Sequence, residues 1–244
     1  MVSMINQFQS GFSWQFKYQL RSWFSLYPKL FFPLVNIRES SRKLAINQET
    51  EIVIEGFPRS GNSFAVGAFR SAQSQPVNIA THLHAPAQII LACRKNIPTL
   101  VVIRNPVDAV VSLKALCIEC NTQTQEIIES SYDFKVLLKS YINFYKAIIP
   151  YRNRFIVGKF EETTKDFSKI VFKINHHFGT KFAKFEHTES NVRQVFDRQG
   201  FHAGPTLQRQ ELKRALTKEI EQAKYQSLIS KAEEVYQQFL LLAK

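Results

Sequence analysis

The chain has 244 residues, 45% of them hydrophobic and 21% charged, with eight glycines, nine prolines and three cysteines. That is enough apolar content for one sizeable core, and it excludes a collagen-like, disordered or disulfide-scaffold chain. A formal net charge of +12 points to anionic partners, which nucleic acid, an anionic membrane surface or a phosphate-bearing cofactor would each satisfy.

No apolar run of about 18 residues occurs and the N-terminus lacks the ordered regions of a signal peptide, so neither a membrane span nor secretion is expected. Cys93, Cys117 and Cys120 are an odd number, and the lone C-x-x-C has no second pair to complete a zinc site. Reduced thiols, no metal and residence in the cytoplasm follow as expectations. Residues 12–35 interleave Phe12, Trp14, Phe16, Tyr18, Trp23 and Phe24 with Lys17, Arg21 and Lys29. This predicts a helix packed on the domain, with peripheral membrane contact as the alternative. The polar stretch Asn36–Thr50 reads as a connector, so residues 1–50 form an N-terminal segment and residues 51–244 the domain proper.

Within the domain, Glu51–Glu55 (EIVIE) is a short β-branched run, followed by Gly56, Pro58, Gly61 and the helix-compatible Phe64–Ser74. A second strand, Thr99–Ile103, runs into Arg104-Asn105-Pro106 and a helix with Pro106 near its start. Residues 133–149 repeat apolar side chains at helical spacing, and Phe155–Phe160 is a third strand candidate. The tail, Thr206–Lys244, is charged and amphipathic and predicts one or two packed helices. Strands alternating with helices imply an α/β, three-layer fold with a central parallel sheet. Ligands bind at the carboxyl ends of such strands, here the loops Gly56–Phe64, the His82 region and Arg104–Ser112.

The first of these loops, GFPRSGNS, keeps the glycine spacing of a Walker A loop but carries Asn62 where the lysine belongs. Its backbone N–H groups and the following helix terminus favour a phosphate whatever the side chain. Arg59 sits inside the loop and can grip a phosphate or sulfate oxygen pair without a bridging metal ion. Arg104 stands at the end of a strand, and Ser112 lies two turns into the next helix, so both can face one anion. His82 is a candidate general base, with His84 as its neighbour and competitor.

Pro58-Arg59-Ser60-Gly61-Asn62-Ser63-Phe64 resembles the 5′-phosphosulfate loop of sulfotransferases that use 3′-phosphoadenylyl sulfate, PAPS. Three further elements follow in the family's order. Thr81-His82-Leu83 resembles the segment bearing the catalytic base, Arg104 to Ser112 the element holding the 3′-phosphate, and Arg198-Gln199-Gly200 the late segment that closes over it. The resemblance implies a P-loop-like strand–loop–helix site and transfer of a sulfuryl group from PAPS to an acceptor hydroxyl or amine. It assigns Arg59, Ser60, Gly61, Asn62, Ser63, Phe64, Arg104, Ser112, Phe160, Arg198 and Gly200 to donor binding, and His82 with Arg59 to catalysis. Phe64 and Phe160 would stack near adenine.

The chain departs from the family at Ala80, where a lysine is common, leaving Arg59 alone or a swinging Arg94 or Lys95 to replace it. The acceptor pocket is expected from Thr122–Asp133 and the C-terminal helices. Two other readings are a P-loop kinase, against which the missing lysine and the missing acidic residue after Thr99–Ile103 both count, and a non-enzymatic basic adaptor for polyanions or membranes. On the sulfotransferase reading no nucleic-acid partner is expected.

Overall fold

Four short parallel strands set the architecture. The computed structural model describes residues 14–121, 133–199 and 207–243, with β1 at Ile52–Gly56, β2 at Ile79–Thr81, β3 at Thr99–Ile103 and β4 at Ile156–Lys159. The strands pair in the order β2-β1-β3-β4, with Ile54 opposite Thr81 on one side and Leu100 on the other. Both central strands are buried at every position, which is why they read as continuous rather than alternating apolar runs.

Helices α1 (Trp14–Phe24), α2 (Pro28–Asn36) and α3 (Glu39–Arg42) precede β1, while α4 (Asn62–Ala72) and α5 (Pro86–Arg94) make the next two crossovers. α6 (Pro106–Asn121) and α7 (Phe134–Ile148), with a 3-10 turn at Ile149–Arg154, separate β3 from β4. After β4 come α8 (Phe160–Lys165), α9 (Phe167–Phe178), α10 (Glu189–Gln199), α11 (Leu207–Ile220) and α12 (Ala223–Leu242). Pro28, Pro86 and Pro106 each open a helix, where the missing N–H costs nothing.

The two-residue period of the strands decides the layers. Ile52, Ile54, Leu100 and Val102 pack with α4 and α9 on one face. Val101, Ile103 and Val157 join a larger cluster on the other, built by α5, α6, α7, α11 and α12. The result is the expected α/β sandwich with a parallel centre. The N-terminal helices are seated on it as well: Phe31 and Val35 of α2 pack with Leu83, Ala85 and Ala87, and the Thr81 N–H donates to the Leu44 carbonyl.

Two details differ from the sequence reading. β2, Ile79-Ala80-Thr81, is not among the strands that the sequence marks out, and at three residues it is too short to show a period. Phe160 does not end the third expected strand; it begins α8, whose first turn carries Glu161 and Glu162, acidic residues that suit a helix N-terminus. The tail forms two helices, α11 and α12, and the proposed acceptor segment 122–132 lies outside the described residues.

Candidate active site

β1 gives way to a loop at Gly56, where a Cβ would stand 2.3 Å from the Val102 carbonyl oxygen. The turn is made by two residues in the left-handed region, Arg59 (φ 68°) and Gly61 (φ 100°), the second being the residue type that adopts it at least cost. Gly61 is the N-cap of α4. The N–H groups of Asn62, Ser63 and Phe64 therefore form a first helical turn without intrahelical carbonyl partners, at the positive end of the dipole. Asn62, in the position of a Walker lysine, is buried and donates to the Gly56 and Phe57 carbonyls at 3.3 and 3.2 Å. It stiffens the loop from within.

Ser60 is also turned inward: it is buried, its N–H donates to the Phe57 carbonyl, and its hydroxyl lies 3.4 Å from Tyr145 Oη. Tyr145 of α7 ties the loop to the sheet by donating to the Val102 carbonyl (2.8 Å) and accepting from the Phe57 N–H (3.3 Å). One helical turn earlier, Tyr141 donates to the Arg104 carbonyl at 2.7 Å. Both tyrosines are fully buried and burial raises both hydroxyls. They hold the Gly56–Phe64 loop and the chain after β3 from a single helix face.

The histidines follow β2, but not as a strand: His82 (φ 58°) and His84 (φ 50°) both adopt the left-handed conformation. Their rings still lie 5.9 Å apart. Glu55, buried at the end of β1, fixes this strained turn by accepting from the Leu83 N–H (2.8 Å), the His84 N–H (3.2 Å) and Gln88 Nε2 (3.0 Å). Burial pushes the Glu55 carboxyl up to about 8 against the pull of these donors.

A hydrogen-bond chain sets the His82 tautomer. The Thr81 hydroxyl gives its proton to the Ile54 carbonyl at 2.7 Å, so its oxygen accepts from His82 Nδ1 at 3.1 Å. His82 Nε2 is left as the lone-pair nitrogen, 3.2 Å from Ser63 Oγ in the phosphate loop. Burial lowers His82 to about 4, which keeps it neutral near pH 7. His84 is lower still, at about 3, chiefly through burial, and its Nδ1 lies 2.9 Å from the Gly56 carbonyl. No group of three or more potential metal ligands occurs among the described residues, so the pair has no third ligand there.

Arg59 and Arg104, from loops far apart in sequence, converge. Arg59 Nε donates to Ser112 Oγ (3.1 Å), and Arg104 Nη1 donates to the Arg59 carbonyl (3.3 Å). Phe160 forms a floor beneath them: its ring lies 4.2 Å from the Arg104 guanidinium carbon and 3.2 Å from where a Cβ on Gly61 would be. Two cations that the sequence did not single out join from α11. Arg209 is buried and bound to Glu119 of α6 at 2.7 Å, and Lys213 is close enough to Arg104 and Arg59 for both to lower its pKa, after burial. Burial and this mutual repulsion hold Arg59 down to about 10. An anion among these groups would relieve both effects.

The sequence profile of the sulfotransferase domain matches residues 34–240. The chain belongs to the sulfotransferase family. Among solved structures, mouse sulfotransferase SULT7A1 in complex with PAP shares 14% identity, with 79% of this chain and 86% of that chain aligned at a TM-score of 0.46. No curated protein sequence matches the chain.

In this sulfotransferase the remaining expected residues fare differently. Phe64 is 4% exposed and packed in an aromatic cluster with Phe185, Phe196 and His187. Arg198, on α10, is exposed, and Gly200 lies outside the described residues. Arg94 donates to Tyr151 Oη at 2.8 Å. The sequence signals for Glu55, Tyr141 and Tyr145 were a strand-terminal carboxylate and two aromatic residues four apart in α7, and each also fits an ordinary core. Lys213 is one of two lysines in a charged helix and carries no signal.

One further observation concerns unpartnered atoms. Among the described residues, four buried side-chain polar atoms lack a hydrogen-bond partner: Asn62 Oδ1, Arg104 Nε, Thr163 Oγ1 and His187 Nδ1. All four belong to the surroundings of one loop. Asn62 is in it, Arg104 bonds to it, Thr163 Cγ2 lies 3.8 Å from a Cβ position on Gly61, and the His187 ring centroid is 5.9 Å from that of Phe64. Buried polar groups are nearly always paired; of these four, Arg104 Nε lies beside the converging cations, while His187 Nδ1 lies with Phe64 behind the loop.

Proposed function

We propose that this sulfotransferase uses PAPS as its donor and passes the sulfuryl group to an acceptor hydroxyl or amine, with His82 as the base. The observation that carries this reading is the meeting of Arg59, Arg104, Ser112 and Lys213 at a helix N-terminus, where Arg104 Nε lies unpartnered. Arg104, with an orphaned Nε, and Lys213 bind the 3′-phosphate side, Lys213 taking the part the resemblance gave to Arg198. Arg59, Ser63 and the first N–H groups of α4 hold the 5′ side, and Phe160 offers an aromatic face beside them. Phe64, closed in by other rings, supports the loop from behind. Bound there, PAPS supplies the sulfuryl group and leaves as PAP.

His82 Nε2 takes the acceptor proton as the acceptor oxygen or nitrogen attacks sulfur. Thr81 keeps the opposite ring nitrogen protonated, and burial keeps the ring neutral. Arg59 stabilises charge developing on the departing phosphate in place of the lysine absent at Ala80. The buried, unbridged Cys93 supports a cytoplasmic setting for this chemistry.

Calorimetric titration with PAP, AMP and ATP tests the donor assignment. PAP is expected to bind at least about tenfold more tightly than either, since only PAP carries a 3′-phosphate for Arg104 and Lys213. Equal affinity for PAP and AMP would overturn it, and preferential ATP binding would favour the kinase reading.

A further inference from the structure

Seven of the eleven large apolar side chains exposed among the described residues fall between residues 16 and 37. They are Phe16, Leu20, Trp23, Tyr27, Leu30, Leu34 and Ile37, from 43% to 77% exposed. Four-and-three spacing puts Phe16, Leu20 and Trp23 on one face of α1 and Leu30 and Leu34 on one face of α2, and in the turn between them the Tyr27 ring lies 5.2 Å from that of Trp23, carrying the stripe on. An apolar stripe of this length on one face is more than scattered surface residues explain.

The opposite face is already engaged with the domain. Tyr18 donates to Ser140 of α7 (3.3 Å), Ser22 lies 3.1 Å from the same hydroxyl, and Phe31 and Val35 are buried. Arg21 donates to the Leu83 carbonyl at 3.1 Å, between the two histidines. The outward stripe is therefore rigidly mounted beside the histidine turn.

We propose that α1 and α2 dock this stripe onto an anionic lipid bilayer, lying in the interface plane. Charge selects that occupant. The sequence contains no Asp or Glu before Glu39, while Lys17, Arg21, Lys29 and Arg38 fall in the same stretch. Lys29 is exposed, as is Arg42 just beyond the stretch, while Lys43 is paired with Glu39 at 2.8 Å; each exposed basic residue favours a negatively charged surface. Trp23 and Tyr27, both in the stripe, are residue types that settle at the headgroup boundary. Helices of 11 and 9 residues are too short to cross a bilayer but long enough to lie on one. A second copy of the chain fits less well. A four-three seam between copies needs continuous helices and opposite charges at its flanks, whereas Pro28 starts a new helix, Pro33 interrupts it and the stretch is wholly basic.

The test is flotation of the full chain with phosphatidylcholine vesicles, with and without about one-third phosphatidylserine, beside PAP calorimetry and sedimentation equilibrium. Binding to the phosphatidylserine vesicles is expected, falling as salt rises and about tenfold weaker on neutral vesicles. The triple variant Trp23→Ser, Leu30→Ser, Leu34→Ser should lose at least about tenfold in vesicle binding while its circular dichroism and PAP affinity stay those of the parent. Three results would overturn the proposal: no vesicle binding at low salt, equal binding to neutral and anionic vesicles, or a dimer that the triple variant dissociates. Each leaves the donor reading standing, because that reading depends on PAP binding alone.

Discussion

The two ends of the proposed site are built on opposite principles. At the histidine end the turn is tied within the protein: Glu55 gathers its donors, Thr81 fixes the His82 tautomer, and Ser63 meets the lone-pair nitrogen. At the cationic end Arg104 carries an orphaned buried Nε; after burial, Arg209 and Arg104 lower the pKa of Arg59, and all three arginines lower that of Lys213. The first is organised before substrate arrives; the second is completed by an anion. Rigid placement serves a base, whose contribution depends on geometry, while unsatisfied donors serve binding, since their desolvation has already been met by folding.

The sharpest way to separate the ends is His82→Ala. Removing the base should lower kcat by about a hundred- to ten-thousandfold, with PAP affinity by calorimetry within about twofold of the parent, as His82 contacts no part of the cation cluster. A large loss of PAP binding would mean that the two ends are one unit. Arg104→Ala should do the converse and weaken PAP binding about thirtyfold, leaving AMP binding nearly unchanged. Lys213→Ala should cost about tenfold in PAP affinity and flatten its dependence on salt concentration. An unchanged salt slope would place Lys213 outside the anion's reach.

The contrast also predicts which residues matter to the ligand-free protein. Thr81→Val removes a buried hydroxyl that donates to Ile54 and accepts from His82, and should lower unfolding stability by about 1–2 kcal/mol. Arg104→Ala should lower it less, because it also removes a buried unpaired donor. Denaturant titration without ligand compares the two directly, and the reverse ranking would contradict a site whose cationic end is completed only by ligand.

The α/β class, the loop at Gly56–Phe64 and the place of Arg104 at a strand's end were legible in the sequence because each rests on local chemistry. Glycine spacing announces a tight turn, and an arginine directly after a β-branched run must stand at a strand's carboxyl end. What stayed hidden depends on side chains meeting across the fold. Tyr141 and Tyr145 carry the same helical period whether or not their hydroxyls reach a loop. Lys213 enters the site only because α11 lies along α6, fastened by Arg209 to Glu119 and Lys114 to Glu219. The left-handed His82 and His84 were invisible because neither is glycine and the strain is imposed by Glu55. Arg198 matched a motif in order alone, and nothing local tied it to the cleft.

The smallest expected effect is on pH dependence, and it returns to the histidine end. His82 and His84 are held at about 4 and 3, below the ordinary 6.5, chiefly by burial. A depressed histidine contributes stability that is fully present above pH 6.5 and lost as pH falls through the folded value. Glu55, raised from 4.5 to about 8, works in the other direction, contributing stability below 4.5 that is lost as pH rises through 8. Between pH 4.5 and 6.5 two histidine slopes oppose one carboxyl slope, so the parent's melting temperature should still fall as pH drops, though less steeply than the histidines alone would make it. His84→Gln removes part of the histidine slope and should therefore make the variant's melting temperature, relative to the parent's, rise as pH falls from 6.5 towards 4. The acid limb of kcat/KM should stay near pH 4 in both proteins, since His82 alone sets it. A limb near 6.5 would mean that His82 is solvated in the working enzyme and that the histidine end, too, is finished only when substrate binds.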